Sequence, residues 1–277
     1  MLVNSAAMHG FAKGVGGRYI RAGLNMSMDL NNLIGDWDYD PQRVSSRWVQ
    51  TDNGRMAVQL RVDLGVFQME LSGRPDGRMP HGSPSLLQHY LALEKALPAS
   101  DPALQLDEKA CGGLQQEAMQ FYYRYISFFA LREFDGVIRD TNHNLKIIQY
   151  VIRHAPDELK RAFLPFFPYV RMMNARARAE KATVAKQYDA ALAALEAART
   201  EIETFCAEHE LGDLPVAAPA LATLRELAEQ VIRQKPRSPA DRLREELERA
   251  VAAENYERAA ALRDELHKLA AQPLTSS

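Results

Sequence analysis

Between Leu104 and Gln234 apolar residues recur at three- and four-residue spacing with few breaks, and a stretch of that length and period demands stacked helices. One run carries Phe121, Tyr122, Tyr125, Ile126, Phe128 and Phe129. A second, from Phe134 to His154, carries Val137, Ile138, Leu145, Ile148, Val151 and Ile152. Breaks are expected at Pro156 and at Pro165/Pro168, because proline removes a helical N–H and clashes with the preceding turn. Tyr169 to Lys186 and Asp189 to His209 then form a helical pair.

Within that pair Tyr188, Ala191, Leu192, Leu195 and Ala198 sit at the spacing of the second helix of a tetratricopeptide repeat (TPR), and Phe134, Val137 and Ile138 echo the same start. Small alanines let two helices approach while larger residues fill the groove between them. The resemblance implies TPR-like helical hairpins rather than a regular array. Leu211 to Ala220, with Pro215 and Pro219, reads as a connector, Leu221 to Ile232 as one more helix, and Lys235-Pro236-Arg237-Ser238-Pro239 as the clearest linker.

Upstream the period changes to two. Val44 to Thr51 predicts a strand, and Asn53-Gly54 a type I′ hairpin in which both central residues need positive φ. The return strand puts Val58, Leu60, Val62 and Leu64 on one face, with Gln59, Arg61 and Asp63 on the other. At Gly65 the phase flips and Phe67, Met69 and Leu71 continue, which predicts a bulge or tight bend into a third strand. A turn-rich loop follows from Gly73 to Gly82, and Ser83-Pro84 is expected to start a helix striped by Leu86, Tyr90, Leu93 and Leu97. The first 27 residues carry Lys13, Arg18, Arg21 and several glycines with no acid before Asp29, so 1–27 is expected to be a disordered leader, or upstream of a true start at Met26 or Met28. The fold class is therefore α+β, mostly α: a small antiparallel hairpin or meander with one helix over 28–98, a helical domain over 104–234, and a separate helical hairpin over 238–271.

That last segment is the most specific. Ser238-Pro239-Ala240-Asp241 offers a cap, a first-turn proline and an acid three residues on. Leu243, Leu247 and Val251 then form one stripe, and Ala259, Leu262, Leu266 and Leu269 a second. Asn255 can cap the second helix, with Glu257 at its positive end. Each helix is apolar on one side only, so the pair must stack on itself and on something else. The sequence Leu243-Arg-Glu-Glu-Leu247 followed by Ala253 to Leu266, with Tyr256, Glu257, Ala259, Ala260, Leu262, Arg263 and Asp264 at its heart, resembles the UVR motif of UvrB, UvrC and McsA-type regulators. The resemblance implies a hairpin that pairs with another such hairpin or with a cognate protein, in UvrB and UvrC with one another. Carried over, Tyr256, Ala259, Leu262, Arg263 and Leu266, with Leu243 and Leu247, form the contact face. Packing of the hairpin on its own helical domain is the other reading. The remaining chain is similar to a group of bacterial UVR-motif proteins with no assigned activity, in the order Asp36 to Asp40, the strand Gln59 to Met69, the Gly73 to Arg78 loop and the aromatic helix after Gln120. It resembles neither the helicase of UvrB nor the nuclease centres of UvrC.

Chemistry is sparse. Net charge is −2, and Arg237 to Ala271 holds seven Lys/Arg against eight Asp/Glu, which disfavours direct nucleic-acid binding and suits pairing with another charged helix. The two cysteines, Cys111 and Cys206, lie far apart with no metal-ligand spacing and read as reduced thiols, and no run of 18 apolar residues spans a membrane, so a cytoplasmic location is expected. No catalytic set, cofactor motif or metal site is recognisable. One loop stays open between two readings: Arg74, Arg78 and His81 can hold a small anion, making the chain an enzyme or sensor, or the arginines pair with acids such as Glu70 and Asp76. His143 and His154, on apolar helices, are read as core or edge residues. The expectation is a non-catalytic adaptor, with an accessory role in nucleotide excision repair through UvrB or UvrC as the alternative.

Overall fold

The alternating segment folds into three antiparallel strands, β2 (Ser46–Gln50), β3 (Met56–Val62) and β4 (Gly65–Glu70), with β1 (Tyr19–Arg21) pairing parallel to β2. This computed structural model describes residues 19–21, 30–212, 216–236 and 239–271. Three residues of the expected leader thus join the sheet, and the rest of 1–27 lies outside the described residues, as does the Ser238 cap. On one face Trp48, Val58 and Met69 lie side by side, as do Leu60 and Phe67. On the other, Arg47, Gln59 and Gln68 form a cross-strand ladder, Arg47 donating to Gln59 at 2.8 Å and Gln59 to Gln68 at 2.9 Å. Arg47 also covers the ring of Trp37 at 4.0 Å, so a polar face is closed by stacking.

Both turns differ from the sequence expectation in a definable way. At Asn53-Gly54 only Gly54 has positive φ, 80°, and Thr51 N donates to Arg55 O at 2.8 Å. The hairpin is there, but its loop is three residues, with glycine alone in the left-handed position. The second bend falls at Asp63-Leu64, because Val62 pairs with Gly65. Leu64 therefore leaves the apolar face and is 87% exposed. Arg61 reaches the carbonyls of Val62, Asp63 and Gly65, so one guanidinium fastens this turn.

The helices are α1 (Asn31–Ile34), α2 (Leu86–Ala96), α3 (Glu108–Ala130), α4 (Phe134–His154), α5 (Asp157–Lys160), α6 (Phe167–Val184), α7 (Tyr188–Glu208), α8 (Ala218–Gln234), α9 (Pro239–Ala252) and α10 (Tyr256–Ala271). Ser85, not Ser83, caps α2, its hydroxyl accepting from Gln88 N at 3.1 Å. Pro168 and Pro219 sit inside first turns rather than ending anything, so α6 and α8 begin before the expected positions. Helices α3, α4, α6 and α7 pack each on the next, and Ala175 and Ala179 of α6 and Ala191 and Ala198 of α7 are buried, small residues of the kind that let helices approach. The sheet lies on α3, with Trp48 6.0 Å from Phe128 and Phe67 4.8 Å from Tyr123, so the segments on either side of residues 98–104 share one body.

Three helix–helix turns are built alike. Arg132, Lys186 and Glu254 take left-handed φ of 62°, 58° and 56°. In each case the following N–H, from Glu133, Gln187 or Asn255, reaches back to Phe128 O, Ala182 O or Ala250 O at 2.8 Å, and an aromatic residue then opens the next helix. The chain divides into two compact units, Met1–Ala228 and Glu229–Ser277, and α8 runs through the division. Among the described residues no helix is long and apolar enough to cross a membrane.

Candidate functional site

The C-terminal hairpin is assembled from its turn outward. Glu254 supplies the left-handed residue, and Asn255 Oδ1 accepts from Arg258 N at 3.1 Å, the cap expected of it. Ala250, Ala259 and Leu262 are buried, with Leu243 and Leu247 packed against them. Alanines at 250 and 259 let the helices close near the turn, and Leu262 fills the space beyond them at 0% exposure. Arg258 bridges to Glu246 on the opposite helix at 3.1 Å.

This packing divides the seven residues of the expected contact face. Leu243, Leu247, Ala259 and Leu262 are engaged within the hairpin, and Leu266 is half-buried. Tyr256 remains 69% exposed and the Arg263 side chain 66%. Val251, placed in the inward stripe by spacing, is 52% exposed, because Ala250 takes the inward position. Val251 and Tyr256 thus flank the turn as open apolar groups. The equivalent aromatics of the other two hairpins are better covered: Phe134 is buried and Tyr188 half-buried.

The loop from 73 to 82 distributes its cations differently. Arg74 turns inward, donating to Asp76 at 3.1 Å, to Gln120 at 3.3 Å and to Glu117 at 3.4 Å. Arg78 is exposed, its backbone N–H donating to Asp76 at 3.0 Å, and exposed His81 stacks on His89. The arginine pairing with Asp76 that the sequence left open is therefore formed by Arg74.

Sequence reasoning missed the acid at the centre. Glu117 is fully buried on α3 and accepts from Leu86 N at 2.6 Å, Leu87 N at 3.1 Å and Arg74, with His143 Nε2 3.0 Å away. It fastens the loop, the start of α2, α3 and α4 at one point. His143 lies flat on Phe121, ring centroids 3.7 Å apart. His154 similarly meets Glu94 at 3.0 Å, holding α4 to α2. Burial on its own pushes the Glu117 carboxyl up, but hydrogen bonds from His143, Leu86 and Leu87 outweigh it and the group ends below its usual 4.5. A depressed carboxyl stabilises the fold above about pH 4.5, and that contribution is lost as pH falls through the lower folded value. Glu117→Gln is expected to cost about 1–3 kcal/mol at neutral pH and to flatten the acid side of the stability profile. Urea midpoints from pH 3 to 7, read by Trp37 and Trp48 fluorescence, measure both effects.

Among the described residues no group of three or more His, Cys, Asp or Glu can hold a metal ion. Residues 238–272 match the family model described as UVR, UvrB/uvrC motif. No curated protein and no solved structure matches the chain. The chain therefore carries a UVR motif over about an eighth of its length, on the two helices whose turn leaves Val251 and Tyr256 open.

Proposed function

We propose that the protein is a non-catalytic adaptor that presents its UVR hairpin to a protein partner or to a second copy of itself. The observation that carries this reading is the exposure of Tyr256 and Val251 at the turn of a hairpin in which Leu243, Leu247 and Leu262 are already packed together. Phe134, which opens α4 in the same way, is buried, and an exposed tyrosine beside a tight turn is of the residue type that protein interfaces use as central anchors. The mixed charge of α9 and α10 supports a protein rather than a nucleic acid as the occupant.

Affinity capture by the full-length chain, combined with sedimentation for self-association, tests the proposal. Tyr256→Ala should weaken the captured or self-associated complex by about tenfold or more, since anchors of this kind contribute about 2 kcal/mol or more. Hairpin stability should change by less than about 0.5 kcal/mol, because the side chain is exposed. Unchanged association would remove the reading.

The motif's own description favours one more specific reading, a repair accessory that contacts UvrB or UvrC. Titration of purified UvrB and UvrC against the full chain tests it, with Tyr256→Ala as comparison. Binding to neither protein, with self-association intact, would leave the adaptor reading and remove this one.

A further inference from the structure

The loop between β4 and α2 is fastened unequally at its two ends. Residues 74–78 are held to α3 through Glu117 and Gln120, with Gln120 Nε2 donating to Asp76 at 3.0 Å. At the other end, local turns link Gly82 N to Met79 O and Ser83 N to Pro80 O, and His81 lies against His89 of α2. The two imidazole centroids are 4.2 Å apart with planes at 21°, and His89 also meets the Tyr90 ring at 5.4 Å. His81 is exposed, His89 half-buried, and His81 holds a left-handed φ of 51°. That conformation is uncommon for a residue with a side chain and is stabilised here by its context.

We propose that the His81–His89 stack is a proton-operated catch, closed on α2 when the rings are neutral and opened when both are protonated. Neutral imidazoles stack favourably, whereas two imidazolium ions at this separation repel. The charged groups around the pair offer little relief. In the loop Arg78 is a further cation, while Arg74 and Asp76 are paired with each other. On α3 Glu117 is taken by Arg74 and His143, and Glu94 of α2 by Arg153 and His154 of α4. Lys95, near the end of α2, adds no carboxylate. Burial lowers the affinity of His89 for a proton below its usual 6.5, and the His81 charge lowers it further. A depressed imidazole supports the closed form above about pH 6.5 and withdraws that support as pH falls.

The test uses the full chain, with imidazole titration and amide hydrogen exchange each followed by nuclear magnetic resonance. In the wild type His89 should titrate below 6.5, moving upward toward 6.5 in His81→Asn, which keeps a residue tolerant of the left-handed conformation. Corrected for intrinsic exchange, the hydrogen-bonded amides of Gly82 and Ser83 should lose protection severalfold as pH falls from about 7.5 to about 5.5. The amides of Gly77 and Arg78 should not, and His81→Asn/His89→Gln should remove the pH dependence at Gly82 and Ser83. The proposal is overturned if His89 titrates identically in wild type and His81→Asn, or if the double variant opens with the same pH dependence.

Discussion

Asp140→Ala should destabilise the N-terminal unit by about 3–5 kcal/mol. Arg124 is wholly buried and donates to both oxygens of Asp140, through Nε at 2.6 Å and Nη2 at 2.8 Å. Its remaining arm reaches Glu70 O at 2.8 Å, and its guanidinium lies 4.7 Å from the centre of the Phe121 ring. The pair thus joins α3, α4 and the last residue of β4. Removing the carboxylate leaves a buried cation with one carbonyl partner, and desolvation of an unmatched charge dominates the cost. Arg124→Met/Asp140→Leu should be much milder than either single change, because both charges leave together. Both tryptophans, Trp37 and Trp48, lie in or beside the sheet, so urea unfolding followed by their fluorescence reads this unit alone. An Asp140→Ala midpoint close to wild type would contradict the assigned role.

Leu262→Asp should melt the C-terminal hairpin and leave the N-terminal unit intact. Loss of a fully buried leucine costs about 2–4 kcal/mol, and a carboxylate in its place adds a desolvation penalty. Among the described residues the hairpin core is Ala250, Ala259 and Leu262, too small a core to absorb such a loss. The expected result is loss of the α9 and α10 contribution to the helical circular dichroism signal, with the tryptophan unfolding midpoint unchanged. A shift of that midpoint would instead couple the hairpin's folding to the rest of the chain. The substitution abolishes any partner site by unfolding it, so it serves as the control for Tyr256→Ala, which leaves the core alone.

The limits of α4, and the presence of the packed pair α6 and α7, were legible because their apolar period is long and their breaks are chemically marked. What spacing alone misjudged were positions where two local rules compete. Prolines at 168 and 219 are breakers in mid-helix but acceptable in a first turn, which is where the structure uses them. By sequence Ser83 reads as the cap of α2, whereas Glu117 takes the N–H groups of Leu86 and Leu87 and the cap is Ser85. The buried polar junction did leave a trace in the sequence. Leu114, Glu117, Phe121, Arg124 and Phe128 share one helical stripe, as do Val137, Asp140, Thr141, Asn144 and Ile148. Charged and amide residues on an otherwise apolar stripe announce buried partners, although which residue meets which depends on the crossing of α3 and α4. In the hairpin the motif was readable, but the division between inward and open residues was not. Whether Ala250 or Val251 faces inward turns on a rotation smaller than the spacing of a single stripe can define.

The proposed docking surface on the folded UVR hairpin is formed by Val251 and Tyr256. The most direct measurement is the association of full-length wild type, self-association by sedimentation and partner capture by affinity, against Val251→Asp/Tyr256→Ala. The double variant is expected to keep the helical signal and tryptophan midpoint of wild type while its association is lost. Association equal to wild type in a variant whose hairpin is folded would contradict it.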